Sequence, residues 1–514
     1  MGWKKRICLL ALLFCTAAAP LPLEAARFIR GDANGDSRVD LADVVMILGY
    51  LYRGSAERGC LDASDANDDG AVNLADAVRV LEHLFGLGPP PAGPFPQPGF
   101  DPTPWDGFTC GDGGVVRAFY VRADAPPGGS GRSWRDAFRR LPRELKRGYT
   151  YYVASGTYPA YKFSAPLKGT ALITIKRPSE ADHGTDEGWD PAYARGTARF
   201  PQIAFESGYV LWNGVKGDPK GEQYGFEVFS EEPEGKMVWL LTLQEGVSNV
   251  VIRKVEAHRP GRNYRGRGFY AAFGGNRRIT LSHCYFHDFH GVHCYFLNAR
   301  DVLLEHCTFA RNASTPLLHS ESIQARGTVG LTVRYCVFED IEGTGVIVSG
   351  SGDSAAWRIY GNVFLSTGAF TGGTGHGTIA DNFKGSIRDV VVCNNTFLGI
   401  RGGKTGVRFF NGREDLVAFN NLYVGCNGVG YVNVKHSYDL YVNCAFTNLE
   451  FKEGPSDVII QVKEPEDIVD RGGRLKVATP AGITLPAPFD KDPSGRKRGA
   501  DGTWDRGAYE IYDP

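Results

Sequence analysis

RRITLSHCYFHDF, residues 277–289, alternates apolar and polar side chains through Ile279 and Leu281, then sets a small residue at Cys284 and an aromatic ring two positions on at Phe286. Alternation with a period of two puts Ile279 and Leu281 on one face of a strand. The pattern returns in RDVLLEHCTFARN (300–312), VGLTVRYCVFEDI (329–341), AAWRIYGNVFLST (355–367), IRDVVVCNNTFLG (387–399), REDLVAFNNLYVG (413–425) and SYDLYVNCAFTNL (437–449). The aromatic falls at Phe286, Phe309, Phe338, Phe364, Phe397, Tyr423 and Phe446, at intervals of 23, 29, 26, 33, 26 and 23 residues. A period in the twenties with variable insertions describes one supersecondary unit stacked on copies of itself, with the insertions outside as loops. A leucine-rich repeat of this length would need its L-x-x-L-x-L signature and a helical half, whereas these units are rich in Val, Ile, Thr and Phe with Gly and Asn turns. The pattern predicts a mainly β fold, a right-handed parallel β-helix.

Two residues before each aromatic stand Cys284, Cys307, Cys336, Asn362, Asn395, Asn421 and Cys444, and a degenerate rung at 247–259 puts Val255 in the same slot. Parallel stacking at roughly 4.8 Å lets amides hydrogen-bond up and down such a column, while a buried thiol behaves as a small hydrophobe. The column is therefore read as structural.

A chain of 514 residues exceeds a usual single domain, but a solenoid grows along its axis and escapes that limit. Sixty-six glycines suit a turn-rich all-β protein. With 57 basic against 58 acidic residues, no charge excess points to nucleic acid as a partner.

Residues 1–26 combine Lys4, Lys5 and Arg6 with the apolar run CLLALLFCTAAA and small residues before Arg27. This reads as a secretory signal peptide, too short in its apolar run for a membrane span, and predicts a secreted or cell-surface protein. Removing Cys8 and Cys15 leaves nine of the eleven cysteines, so at least one is unpaired, and the buried column is the place for it.

Next comes DANGDSRVDLAD, in which Asp32, Asn34, Asp36, Asp40 and Asp43 occupy positions 1, 3, 5, 9 and 12 of a twelve-residue loop. The pattern recurs 33 residues on in DANDDGAVNLAD, with Asp65, Asn67, Asp69, Asn73 and Asp76. Alternate side chains of such a loop aim oxygens at one centre, position 7 (Arg38, Ala71) adds its backbone carbonyl, and Ca²⁺ takes this all-oxygen shell. Gly70 fills the sharp-turn position of the second loop, but Ser37 stands there in the first, which predicts a weaker site. Each loop runs into an amphipathic helix, LADVVMILGYLYRG and LADAVRVLEHLFGLG.

One loop plus one helix, twice, with Asp at position 12, resembles the dockerin type I module of cellulosomal and other secreted carbohydrate-active proteins. The resemblance covers residues 27–88. It implies two bound calcium ions held by the loop residues and helix faces that dock a cohesin-like partner. Residues 89–114, which contain PPPAGPFPQPGFDPTPWDG, read as a semi-rigid Pro-rich linker. Cys60 and Cys110 flank that Pro-rich stretch, and a disulfide between them would fold it back along the module.

The second domain is expected over 115–450, with 451–514 as a C-terminal cap and closing segment. At its start, VVRAFYV and YTYYVASGTY are expected strands and SWRDAFRRLPREL an expected helix, together an N-terminal cap. Its end, DPSGRKRGADGTWDRGAYE, resembles the closing segment of the pectate-lyase-like superfamily.

Catalytic candidates should lie where polar side chains of successive rungs meet on one outer face. In LLHSESIQAR, His319 and Glu321 are two apart on a strand and share a face. Neighbouring rungs add His293, Tyr295, Arg326, Glu342, His376, Asp381 and Arg408 as groove candidates, with Glu339, Asp340 and Lys404 nearby. The run from Glu321 to YGNVF is similar to the core of polysaccharide lyase family six, in which a Glu at the place of Glu321 helps bind Ca²⁺. That resemblance implies a third calcium, in the groove. Arg326 stands where that family has its Lys base, and its R-H-G run has no counterpart in GTGVIVSG. A glycosidase would instead need two carboxylates, roughly 5–5.5 Å apart for retention and 6.5–9.5 Å for inversion. Glu321 with Glu342, or Asp340 with Asp381, offers such a pair. The expectation is a secreted modular protein that acts on extracellular polysaccharide, as hydrolase or uronate lyase. The alternative is a non-catalytic binding scaffold anchored through the calcium module.

Overall fold

The computed structural model describes residues 28–53, 60–70, 72–99, 101–103, 118–165, 169–215, 224–230, 238–259, 265–271, 274–312, 314, 320–368, 374–382, 384–447 and 450–511. The chain forms two compact units, residues 1–115 and 116–514. Among the described residues no helix is long and apolar enough to cross a membrane. The expected signal peptide lies outside the described residues.

The second unit is the β-helix. All its named strand pairs are parallel: a first face of 12 strands, from Ala118–Val121 to Lys435–Ser437, and a 21-stranded sheet bent into a second and a third face. Strand Tyr285–Leu297 runs across that bend, pairing in its first half with Thr308–Asn312 and in its second with Glu321–Arg326. Between the first and second faces the chain turns through a single residue with positive φ, His283, His306, Tyr335, Asn394 and Asn420 among them. Asn tolerates this left-handed conformation better than most side chains, which is why Asn-Asn marks two of the corners.

The residue after each of these corners is the column read from the sequence. The Asn362 N–H donates to Asn395 Oδ1 at 3.0 Å, and the Asn395 N–H to Asn421 Oδ1 at 3.1 Å. Inside the coil the rings of Phe286, Phe309, Phe338, Phe364, Phe397 and Tyr423 stack in near-parallel planes, with centroids 4.4–5.5 Å apart.

The seventh unit departs from the expected register. Tyr441, not Phe446, continues the stack, and Asp439, not Cys444, takes the column slot. This rung is only 18 residues long, and the Asp439 carboxylate accepts the Asn421 N–H at 2.7 Å. A thiol is a far weaker acceptor than a carboxylate at the same place. Phe446 instead bridges Val429 on the third face.

The expected helix over SWRDAFRRLPREL is absent: residues 133–145 form turns and isolated bridges. Pro142 interrupts it, and Phe138 exchanges backbone hydrogen bonds with the first strand through Tyr120 O and the Arg122 N–H. Its apolar side chains still close the coil, with Trp134 and Leu145 fully buried.

The C-terminal segment runs back along the corner between the first and second faces. Trp504 Nε1 donates to Asn394 Oδ1 at 3.1 Å, the Gly507 N–H to Asn420 O at 2.7 Å, and Arg506 Nη1 to Asp439 O at 2.9 Å. Phe489 packs edge-on against Tyr360 at 4.9 Å.

In the first unit, α1 (Leu41–Arg53), α2 (Leu61–Ser64) and α3 (Leu74–Leu84) are the described helices. Val44 and Ile47 of α1 and Ala77 and Val80 of α3 bury against each other. Asn73 and Asp76 form a capping box at the start of α3. The Pro-rich segment is no free spacer where it is described. Phe28 pairs with Gly99, the Arg30 N–H donates to Pro94 O, and the Ala92 N–H to Ala66 O, so residues 91–99 belong to the fold of this unit. Cys60 is disulfide-bonded, whereas the other seven described cysteines are free. Cys110, its expected partner, lies outside the described residues.

Candidate functional site

The two loops of the first unit have the same internal wiring, offset by 33 residues. Asp32 Oδ2 accepts the Ser37 N–H at 2.8 Å, and Asp65 Oδ2 accepts the Gly70 N–H at 2.8 Å. Asp43 accepts from the N–H groups of Asn34 and Asp40 at 3.0 and 2.8 Å; Asp76 accepts from those of Asn67 and Asn73 at 3.2 and 2.8 Å. Ser37 and Gly70 both hold the left-handed conformation, at φ 71° and 82°. Ala71 lies outside the described residues, while the Arg38 N–H donates to Asp36 Oδ1 at 2.9 Å.

Burial pushes the carboxyls of Asp32 and Asp43 upward against their backbone hydrogen bonds. In the second loop burial, then the Asp76 charge, takes Asp65 up to about 7, and burial takes Asp76 up to about 6. Buried carboxyls that resist ionising together, in an all-oxygen donor set, fit a hard dication such as calcium.

On the β-helix the expected groove residues separate. Glu321 is buried on the third face, and Thr344 Oγ1 donates to its Oε1. His319 lies outside the described residues. Tyr295 pairs in register with Gln324, and the Arg326 guanidinium stands 5.5 Å over the Tyr295 ring. His293 does not share their face. It packs inside the coil between Phe289 and Phe309, with Nδ1 3.1 Å from Ser322 Oγ. Burial, and then the His287 charge, hold its imidazole down to about 3. His293 and the next residue, Cys294, are both fully buried, while Val292 and Tyr295 on either side cluster apart from the core, so strict alternation lapses here without any shift of register.

Several of the remaining candidates have structural partners. Arg408 is fully buried, with Nε 2.7 Å from Glu450 Oε2 and Nη2 donating to Gly428 O, while Lys404 also reaches Glu450 at 3.1 Å. Asp381 Oδ2 accepts the Asn411 N–H at 2.7 Å, and Asp340 accepts from Thr367 N–H and Oγ1. The Glu342 N–H donates to Asn312 O, and His376 lies half-buried on strand Thr374–Asp381.

Among the described residues a cluster of titratable side chains stands on the second face of the β-helix, and no linear motif singled it out. Glu227 and Glu256 are register partners, as are His258 and His287. His258 Nε2 lies 3.1 Å from Glu227 Oε1, and one rung on His287 Nε2 lies 2.9 Å from Glu256 Oε1. Asp288 Oδ2 sits 2.6 Å from His287 Nδ1, and Arg311 grips Asp288 through Nε and Nη2 at 2.7 and 2.8 Å. Burial lowers His287, but Asp288 and Glu256 outweigh it and raise its pKa. Burial opposes ionisation of Asp288, yet Arg311 and His287 hold it well below the carboxylate range. The available signal was the alternation in VEAH (255–258), repeated as YFH (285–287), which puts i and i+2 side by side on the outer face.

The family model described as right handed beta helix region matches residues 244–384, and that described as dockerin type I domain matches residues 30–85. No curated protein matches the sequence. Among solved structures, pectate lyase Pel9A aligns with TM-score 0.42 and 13% identity over 77% of this chain and 96% of its own. A complex of XylC with xylose aligns at 0.36 and 9%, over 77% and 98%. The A-module of the Azotobacter vinelandii mannuronan C-5 epimerase AlgE6 aligns at 0.20 and 13%, over 62% and 91%. With its paired calcium-type loops and its coil of parallel rungs, the chain joins a dockerin type I domain to a right-handed β-helix region.

Proposed function

We propose that this is a secreted modular protein in which the dockerin domain docks a cohesin-like partner through calcium-ordered helices, while the β-helix binds and cleaves an extracellular polysaccharide. One observation carries the docking half. Leu41 and Val45 on α1 are 54% and 67% exposed, and the equivalent Leu74 and Val78 on α3 are 52% and 42% exposed. Apolar side chains left in water at the same place on both repeats suit a partner that reads either helix. Val45→Glu with Val78→Glu should abolish capture of a cohesin domain in calcium, and undiminished capture sinks this half.

The carbohydrate half rests on the company dockerin domains keep and on the third face, where Tyr295, Gln324 and Arg326 stand near the rung of Glu321. A pyranose ring stacks on an aromatic face while its hydroxyls bond to polar neighbours. The full chain should release new reducing ends from a polysaccharide panel. Absorbance near 235 nm marks β-elimination, and its absence marks hydrolysis. Glu321→Ala should lower turnover by roughly a hundredfold with the fold intact; parental activity in this variant excludes the site. The non-catalytic alternative draws support from Arg408, Asp340 and Asp381, which are engaged in structural bonds, and it predicts binding to the same panel with no product.

A further inference from the structure

We propose that Glu256, His258 and His287, with Glu227 in reach as a fourth ligand, form a binding site for a zinc-class divalent cation on the second face of the β-helix. The ligand atoms of the first three lie within 4.8 Å of one another. Tetrahedral zinc, with bonds of about 2.0–2.2 Å, sets its ligands roughly 3.3–3.5 Å apart, so separations near the 4.8 Å limit must close by about an ångström while the 2.9 Å contact of His287 with Glu256 opens slightly. The two imidazoles are parallel, 8° between planes and 4.6 Å between centroids. Convergence of both lone pairs on one ion requires one ring to turn about its Cβ–Cγ bond.

The surroundings distinguish this cluster from an ordinary surface ion pair. Asp288 lies on the far nitrogen of His287 at 2.6 Å and is itself pinned by Arg311 through two bonds. A carboxylate on the distal N–H of a ligating histidine is the usual outer support of a metal site, since it fixes the tautomer and ring orientation. Nδ1 of His287 has both Asp288 Oδ2 at 2.6 Å and Arg311 Nη2 at 3.0 Å beside it; in the tautomer that carries its hydrogen on Nδ1 toward Asp288, the lone pair of Nε2 faces Glu256 Oε1 at 2.9 Å and a cation between them satisfies both. A proton can serve; so can a metal ion. The parallel register repeats the arrangement, placing His258 against Glu227 one rung away, and Arg199 holds the other Glu227 oxygen at 2.7 Å. Mixed imidazole and carboxylate donors favour zinc-class ions over calcium, which takes oxygen alone. Glu256 and His258 are partly exposed, so three or four protein ligands leave the ion open to solvent on one side.

The test uses the untagged full chain with its dockerin loops saturated by excess Ca²⁺, titrated with Co²⁺ and followed by d–d absorption. One saturable Co²⁺ per chain is expected, displaced by Zn²⁺. His258→Ala with His287→Ala should weaken it at least a hundredfold, Asp288→Asn by roughly 10–100-fold with every ligand in place, and His436→Ala not at all. Glu256→Gln keeps side-chain volume and should also weaken binding, which covers the case in which the double variant loses its far-UV dichroism. Absence of a saturable Co²⁺ signal in the parent, or its survival in a folded His258/His287 double variant or in Glu256→Gln, overturns the site.

Discussion

Arg30 and Asp101 form a buried ion pair, Nη2 to Oδ1 at 2.7 Å, across 71 residues of chain. The same guanidinium reaches Asp68 at 2.8 Å and the carbonyl oxygens of Asp62 and Asp65 at 3.0 and 2.9 Å. The Pro-rich segment is thereby latched to the loop that begins at Asp65. Removing Asp101 leaves Asp68 as the one carboxylate on the buried guanidinium, so the cost falls below the about 3–5 kcal/mol of a fully unmatched buried charge. Asp101→Ala should lower the melting temperature of the helical signal at 222 nm and weaken calcium binding at the second loop more than at the first. Calorimetry showing both sites unchanged removes the latch.

The loops should also differ from each other. Ser37 holds the left-handed conformation that Gly70 holds freely, a strain of about 1 kcal/mol. Ser37→Gly should therefore tighten the first loop roughly fivefold, and calorimetric titration giving equal or weaker binding refutes the ranking.

Asp65 and Asp76, raised to about 7 and about 6, give the first unit a calcium-linked pH response. A carboxyl raised in the folded state contributes stability that is full below its unfolded pKa near 4 and is lost as pH climbs through 6–7. Without calcium the helical signal should melt at higher temperature at pH 5 than at pH 8. With calcium, which replaces those protons, the difference should shrink or reverse. Parallel pH profiles with and without the ion contradict this.

Asn395 is wired on both sides, accepting from Asn362 and donating Nδ2 to Ile359 O and Asn421 Oδ1, each at 3.0 Å. Asn395→Ala strands a buried N–H and a buried carbonyl, so the β-helix should lose about 1–3 kcal/mol in denaturant. A variant that unfolds with the parent would show that the column is dispensable.

His436 stacks on Tyr431 at 3.8 Å and faces Asp457 at 3.1 Å and Asp439 at 3.6 Å. Burial pulls its pKa down, but the bonds to Asp439 and Asp457 carry it up to about 9. A histidine raised from about 6.5 stabilises fully below that value and ceases to do so as pH rises through 9. His436→Gln should therefore cost most stability at pH 6 and little at pH 10, as read by urea midpoints. A pH-independent difference would mean the ring acts through packing alone.

The repeat was legible because each rung buries the same two features, an aromatic and its column residue, and the core forbids drift in either. Legibility failed where that constraint loosened. Around 437–449 two aromatics, Tyr441 and Phe446, stand close together, and the register of Tyr441 with Tyr423 and the hydrogen bond of Asp439 select the first. The helical spacing in SWRDAFRRLPREL described which residues are buried, but the pairing of Phe138 with the first strand overrode it. His293 was misplaced because alternation lapses at this strand: His293 and Cys294 are consecutive and both buried, so the two-residue spacing no longer puts His293 beside Tyr295. The cluster around His258 and His287 escaped notice because its members come from strands 29–31 residues apart, and no linear motif unites them.

The C-terminal segment changes how the coil can come apart. A stack in which each rung touches only its neighbours would fray from its last turn inward, one layer at a time. Here Trp504, Arg506 and Gly507 are tied to rungs as far back as Asn394, and the Tyr335 hydroxyl donates to Lys491 O. The final turn cannot peel away until that strand of ties has let go. The end of the coil therefore behaves as a bound sheaf, which yields together or not at all.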